Sequence, residues 1–256
     1  MPLLPRPWRR PGPLFPPLLS DLLPRLLQPL LPSSCVLCGA TCDEAVCPPC
    51  SLAYATGKQP RCPCCANPVG PHDTARRCGA CLADPPAFDA TVAACAYAVP
   101  LDRLVLQLKF GGRLALAPWM ARRLGDAAAA HAGLALPDVL CPVPLGPRRL
   151  IERGYNQALE MARPLARALG IPLASRLAQR LVDTAAQSGV APAERRRNVR
   201  GAFALADGQV ALHGRHVGVV DDVMTSGHTL DELAGVLKQA GAARVTNFVF
   251  ARTPPH

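Results

Sequence analysis

Aromatic residues are scarce in this 256-residue chain, at 4%, and charged residues make up only 18%. With half of the residues hydrophobic, the low charge excludes a wholly disordered chain and leaves material for a sizeable core. Lysine is almost missing: 25 of the 28 cationic side chains are Arg. Long apolar runs are missing as well. The Leu/Pro-rich first 34 residues are interrupted by Pro16, Pro17, Asp21, Pro24, Arg25 and Pro29. That leaves no unbroken apolar stretch for a signal peptide, and nothing near the roughly 18 uncharged residues of a membrane span. Two readings of the segment stay open. One is a short amphipathic helix, around residues 18–31, that docks on a partner or on the metal module. The other is a poorly ordered leader, or a start assigned too far upstream. Also missing are a Ser-His-Asp or Cys-His nucleophile pattern and a glutaminase domain.

What the chain has in excess is cysteine, twelve in all. Eight form four C-x-x-C pairs: Cys35 and Cys38, Cys47 and Cys50, Cys62 and Cys65, Cys78 and Cys81. This is metal spacing rather than disulfide spacing, and it points to a reducing cytoplasm. Loops of 8 residues (between Cys38 and Cys47) and 12 residues (between Cys65 and Cys78) suit two zinc ribbons in tandem. In each, four thiolates close a structural tetrahedron with no open position for catalysis. The module is too small to hold a core by itself, so metal binding supplies much of its folding free energy. On that reading it is separable, and Cys62→Ser leaves the rest of the chain folded. Cys42 and Cys64 are candidate spare ligands, and Cys95 and Cys141 fall in apolar runs as buried, inert thiols.

From residue 88 the pattern becomes strand and helix in alternation. Strands are expected in the runs TVAACAYAV, DVLCPVP, HVGVVDD and ARVTNFVFA. Helices are expected in LDRLVLQLKF, LALAPWMARRLGDAAAAHA, ERGYNQALEMARPLARALG and HTLDELAGVLKQAG, the last two stopped by Gly170 and Gly241. Alternation of this kind means a parallel α/β sheet.

The most informative run is Val219-Val220-Asp221-Asp222-Val223-Met224-Thr225-Ser226-Gly227-His228-Thr229. An apolar strand ends in two acids, a loop of small hydroxyl residues follows, and a helix begins. Amides and hydroxyls at such a helix start bind phosphate. Carboxylates at the end of the strand can accept hydrogen bonds from ribose hydroxyls. A sugar 5′-phosphate held by loop 225–229, with its 2′- and 3′-hydroxyls on Asp221 and Asp222, satisfies every group.

The run resembles the 5-phosphoribosyl-1-pyrophosphate (PRPP) motif of type I phosphoribosyltransferases. With the C-x-x-C array it is similar to the competence protein F (ComF) family, which joins a double zinc ribbon to such a domain. Other matching pieces are Leu108-Lys109-Phe110; Pro142-Val143-Pro144-Leu145 with Arg153-Gly154-Tyr155-Asn156-Gln157; and Arg197-Asn198 before Gly201-Ala202-Phe203. The resemblance covers residues 35–253. It implies a parallel sheet with helices on both faces, and three segments: a leader (1–34), a double zinc ribbon (35–87) and a phosphoribosyltransferase-like domain (88–256).

The resemblance also implies Asp221 and Asp222 as the catalytic pair. Val223, Thr225, Ser226, Gly227, His228, Thr229, Lys109, Arg148, Arg149 and Arg153 become PRPP contacts. The arginines lie in a pyrophosphate loop at 144–154, and a flap at 183–200 carries Thr184, Gln187, Arg195, Arg196, Arg197 and Asn198. His228 is the departure, since the family usually has a small residue there; it either donates to phosphate or points at solvent. The implied cofactors are structural Zn2+, two ions, and Mg2+ with PRPP. The implied role is in natural transformation, handling incoming single-stranded DNA with DNA-uptake or helicase proteins as partners. Residues 145–200 carry 11 Arg against 4 acids, which suits a polyphosphate or nucleic acid; an Arg-for-Lys bias from a GC-rich genome also accounts for the ratio. No acceptor is legible: the hood expected at 175–208 has Phe203 as its one aromatic. Phosphoribosyl transfer is therefore one reading. A non-catalytic DNA-binding accessory factor with a regulatory PRPP site is the other.

Four thiolates per ion predict about two zinc ions per chain. Elemental analysis of protein purified under reducing conditions checks this; metal-free protein would refute it.

Overall fold

A computed structural model describes residues 33–55, 59–70, 77–131, 133–182, 199–206 and 211–254. The chain divides into two compact units, Met1–Cys47 and Pro48–His256. Most of the leader and the flap residues Thr184, Gln187, Arg195, Arg196, Arg197 and Asn198 lie outside the described residues.

In the first unit β1 (Ser33–Ser34) pairs antiparallel with β2 (Thr41–Cys42). The chain between them folds over the first C-x-x-C pair: Cys35 N donates to Ala40 O and Gly39 N to Cys35 O, each at 2.8 Å. The Cys38 and Cys47 sulfurs are 3.7 Å apart, and Cys47 N donates to Cys35 Sγ at 3.4 Å. Cys50, three residues beyond Cys47 in sequence, falls in the larger unit.

The second tetrad lies wholly in the larger unit. The sulfurs of Cys62, Cys65, Cys78 and Cys81 are within 4.8 Å of one another, with Cys65 and Cys78 at 3.5 Å. Zinc–sulfur bonds of about 2.3 Å place tetrahedral sulfurs about 3.8 Å apart, so the donor set fits structural zinc. Cys78 N donates to Cys62 Sγ at 3.2 Å. Burial opposes ionisation of Cys62, but the amides of Cys65, Cys78 and Cys64 overcome it and bring the thiol down to about 7. Neither candidate spare ligand joins a tetrad. Cys42 Sγ donates to Glu44 O at 2.9 Å, and Cys64 faces Phe88 O at 3.9 Å. Cys95 and Cys141 are buried in strands, and burial pushes each thiol up to about 12.

The larger unit opens with two short helices, α1 (Pro48–Tyr54) and α2 (Gly79–Ala83). Its core is a four-stranded, all-parallel sheet in the order β3-β8-β7-β4, formed by β3 (Ala90–Ala96), β4 (Val139–Pro142), β7 (His216–Met224) and β8 (Arg244–Arg252). Near-continuous burial of these strands is what a parallel sheet covered on both faces requires. Between β3 and β4 run α3 (Leu101–Phe110) and α4 (Leu116–Ala130); after β4 come α5 (Pro147–Arg153) and α6 (Gln157–Leu169). A parallel bridge from Leu140 to Leu173 then extends the sheet beyond β4. A small antiparallel pair, β5 (Ala178–Arg180) with β6 (Phe203–Leu205), forms the hood. α7 (His228–Gln239) joins β7 to β8.

From β3 through the Leu173 bridge the chain moves one way across the sheet, and α4 and α6 pack together on that face. From β7 to β8 it moves back, so a right-handed crossover carries α7 to the other face. The reversal lies between β4 and β7, where open α/β sheets bind ligands.

Two expectations change. The run from Glu152 to Gly170 was expected as one helix and forms two. Gly154 has φ 78°, Asn156 caps α6 by accepting from Ala158 N (2.9 Å) and Leu159 N (3.4 Å), and its amide donates to Val143 O. The second ribbon is not separable either. Cys62, Cys64, Cys65 and Cys81 belong to the same buried cluster as Ala93, Val143, Val217 and Val249. Arg252, 5% exposed at the end of β8, donates to Cys65 O at 2.9 Å from Nε. Through NH1 it donates to the carbonyls of Met224, Thr225 and Thr253.

Loss of the second tetrad should therefore destabilise the whole larger unit. Cys62→Ser, or chelation of the metal, is expected to lower the melting transition of the sheet, read by far-ultraviolet circular dichroism. A wild-type transition for the sheet would restore the separable module.

Candidate functional site

The expected end of the strand at the two acids shifts: β7 runs on to Met224, paired with β8, and Asp221 and Asp222 lie within it just past its last pairing with β4 at Val220, 9% and 2% exposed. Consecutive strand residues point to opposite faces, so the two carboxylates meet different surroundings. Asp221 Oδ1 accepts from Asp222 N at 2.9 Å. Burial first, and then the neighbouring Asp222 charge, push the Asp221 carboxyl well above the usual carboxylate range. Asp222 meets Lys109 from the last turn of α3: Nζ lies 2.8 Å from Oδ2. Gln157 Nε2, at the first position of α6, approaches Asp222 Oδ1 at 3.5 Å. Burial disfavours the Lys109 ammonium, but Asp222 and Asp221 outweigh it and its pKa is raised. Among the described residues the Lys109 ammonium is the one close partner of Asp222 Oδ2. A buried carboxylate oxygen with only an ammonium beside it fits a ribose hydroxyl or a hard cation.

After β7 the chain turns through loop 225–229 into α7. Gly227 has φ 89°, a left-handed conformation that residues with a β-carbon adopt only with strain. Val223, Thr225 and Thr229 line a cleft of about 390 Å³ with Asp221, Asp222, Lys109, Arg149 and Gln157. Its far wall is Val143, Pro144 and Leu145 after β4, with Tyr97 and Arg180 at the rim. The switch-point cleft is thus built from the two strand ends that the topology selects.

Not every expected contact lines this cleft. Ser226, Gly227 and His228 line a smaller cavity of about 200 Å³, with Cys65, Cys81, Phe88 and Arg252. There His228 Nδ1 lies 3.2 Å from Ser226 Oγ, so the histidine faces its own loop. Arg148 is exposed and pairs with Glu152 at 2.8 Å, lining neither. Arg153 lies beyond the cleft, with its guanidinium carbon 5.3 Å from the Phe110 ring centroid. Gln157, Tyr97, Arg180 and Arg252 are site or supporting residues that the sequence did not single out. Gln157 sat inside a quoted motif; the other three carry no local signal.

Comparison with known proteins is consistent with this geometry. Residues 26–82 match a double zinc ribbon domain and residues 156–255 a phosphoribosyl transferase domain. The chain is 37% identical over 230 residues to the DNA utilization protein YhgH of Escherichia coli O157:H7, covering 87% of this chain and 98% of that one. It is 36% identical over 182 residues to competence protein F of Haemophilus influenzae, covering 70% and 79%. The chain belongs to the competence protein F family. Among solved structures, this family member is similar to the glutamine PRPP amidotransferase from B. subtilis, with 21% identity and a TM-score of 0.37 over 56% of this chain and 30% of that one. It is also similar to a purine phosphoribosyltransferase from Pyrococcus horikoshii Ot3, with 22% identity and a TM-score of 0.30 over 52% and 69%. No helix among the described residues is long and apolar enough to cross a membrane.

The raised Asp221 carboxyl predicts a pH signature. Below about pH 4 it is neutral in both folded and unfolded chains. Above that the unfolded chain ionises first, so folding stability falls as pH rises toward the folded value. Asp221→Asn is expected to remove that decline and to leave the ligand-free protein at least as stable as wild type near neutral pH. Urea melts of both proteins from pH 4 to neutrality check this; identical pH dependence would mean that Asp221 ionises freely.

Proposed function

We propose that this chain binds PRPP with Mg2+ in the 390 Å³ cleft, as a cytoplasmic phosphoribosyltransferase-like protein serving DNA uptake. The observation that carries the reading is the pairing of buried Asp221 and Asp222 with loop 225–229 at the sheet's switch point. The carboxylates accept the ribose hydroxyls. Thr225 and Thr229, beside the positive end of α7, hold the 5′-phosphate. Arg149, which reaches the cleft from α5, faces the pyrophosphate. Mg2+, when bound, would offset charge on the pyrophosphate, and the carboxylates of the Asp pair suit it or its water. In the bound state Lys109 chooses between Asp222 and the phosphates, so the 2.8 Å ion pair is a ground-state placeholder. The DNA connection comes from the relatives, which are named for DNA utilization and competence.

The reading as a non-catalytic accessory factor is favoured by Phe203. The one aromatic of residues 175–208 is 4% exposed, so its burial leaves no face for an acceptor base. On this reading PRPP binds as a signal and is not consumed.

Calorimetry with Mg2+-PRPP is expected to show binding by wild type. Asp221→Asn and Asp222→Asn should weaken it by about 1–3 kcal/mol, the range for hydrogen bonds to charged groups. Equal binding by all three proteins would make the pair a structural cap. Pyrophosphate release from PRPP with a panel of bases then separates transferase from sensor.

A further inference from the structure

Two motif fragments contribute side chains with no task in the ribose-phosphate cleft. From Leu108-Lys109-Phe110 the spare residue is Phe110. From the run between Arg153 and Gln157 the spare residues are Arg153 and Tyr155. All three line a second cleft of about 620 Å³. It shares Tyr97, Lys109, Leu145, Arg149 and Gln157 with the first, so the two clefts are continuous.

Phe110 is 75% exposed. In a chain with so few aromatics, the rings of Trp119, Phe248 and Phe250 are all spent in the core. The Phe110 ring instead stays out of the core and receives the Arg153 guanidinium. The two are held in register from both sides. Tyr155 Oη donates to Leu108 O, fastening the end of α3 to the turn after α5. Arg153 donates to Gln157 Oε1, which fixes its guanidinium from α6. The result is a fixed ring and a fixed cation on the surface, opening into a phosphate cleft.

A ring with a cation beside it stacks a nucleobase, and Arg149 with Arg153 suits a phosphate. Two side chains of the cleft that could read a base edge already have partners: Glu152 pairs with Arg148, and Gln157 with Asp222 and Arg153. A free base needs its edge satisfied to be held and discriminated. A polynucleotide needs only stacking and phosphate charge, and an exposed ring lets the strand continue on both sides. We propose that the second cleft, built on Phe110 and Arg153, binds one nucleotide of a single-stranded nucleic acid, its base on Phe110 and its phosphate on Arg149 and Arg153, beside the ribose-phosphate cleft. The inference deepens the DNA-handling part of the proposed function and needs no turnover of PRPP.

The test is fluorescence anisotropy of a short labelled oligothymidylate with the full chain at low salt and without PRPP. Phe110→Ala should weaken binding about 5- to 100-fold, the effect of losing one stacked base, and Phe110→Tyr should retain it. Arg153→Gln should lower the slope of log affinity against log salt by about one phosphate contact. Phe110→Ala that binds like wild type would overturn the proposal, as would Phe110→Tyr that binds as poorly as Phe110→Ala. Thymidine monophosphate competing as well as the oligonucleotide would overturn the polymeric ligand. Calorimetry with PRPP on the same proteins keeps the two readings apart. If PRPP fails to bind any of them while the oligonucleotide results hold, the ribose-phosphate reading falls and this cleft stands.

Discussion

Two carboxylates in sequence at the buried end of one strand set the terms for the rest of this molecule. Neither can be removed from water cheaply as an anion. The fold answers asymmetrically. Asp221 is pushed toward its neutral form by burial and by its neighbour, while Asp222 keeps a lysine at 2.8 Å and a glutamine amide at 3.5 Å. Those partners come from α3 and α6, so the acid pair draws the ends of three elements together. Both carboxylates line the cleft, but their compensation is unequal: Asp222 is ion-paired, while Asp221 accepts from the Asp222 backbone amide.

Arg252 holds the other side of the site. Its guanidinium spends its donors on carbonyls of the second cysteine knuckle and of the turn after β7 at once. A planar fork with several donors can bridge two backbones in this way; a lysine could not. The knuckle at Cys65 and the backbone at Thr225 are therefore tied by one side chain. Zinc here stabilises more than its own small module, because the knuckle is one wall of the sheet domain's core.

The distribution of aromatics follows the same economy. Trp119 and Phe250 meet edge to face at 5.7 Å in the core, and Phe203 closes the hood under Arg180. Phe110, the most exposed ring among the described residues, follows Lys109, whose ammonium pairs with Asp222 in the first cleft. Adjacent positions at the end of a helix thus serve two continuous clefts, one through charge and one through a π face.

Much of this was legible in the chain itself. Four C-x-x-C pairs announce two tetrads because a thiolate knuckle is a local structure, closed by amides a few residues away. The run from Val219 to Thr229 announces a strand, an acid pair and a turn into a helix for the same reason. The alternation after residue 88 fixes a parallel sheet, since each helical stretch is a crossover. Other features depend on residues far apart in sequence. The break of one expected helix into α5 and α6 turns on Asn156 reaching back to Val143. The pairing of Lys109 with Asp222, the bridging by Arg252 and the meeting of Phe110 with Arg153 join segments 43 to 187 positions apart. No local pattern encodes such contacts, because packing and the order of strands in the sheet choose them. The sequence by itself determined the chemistry available to this protein; the tertiary structure decided which charges are already compensated and which are left for a ligand.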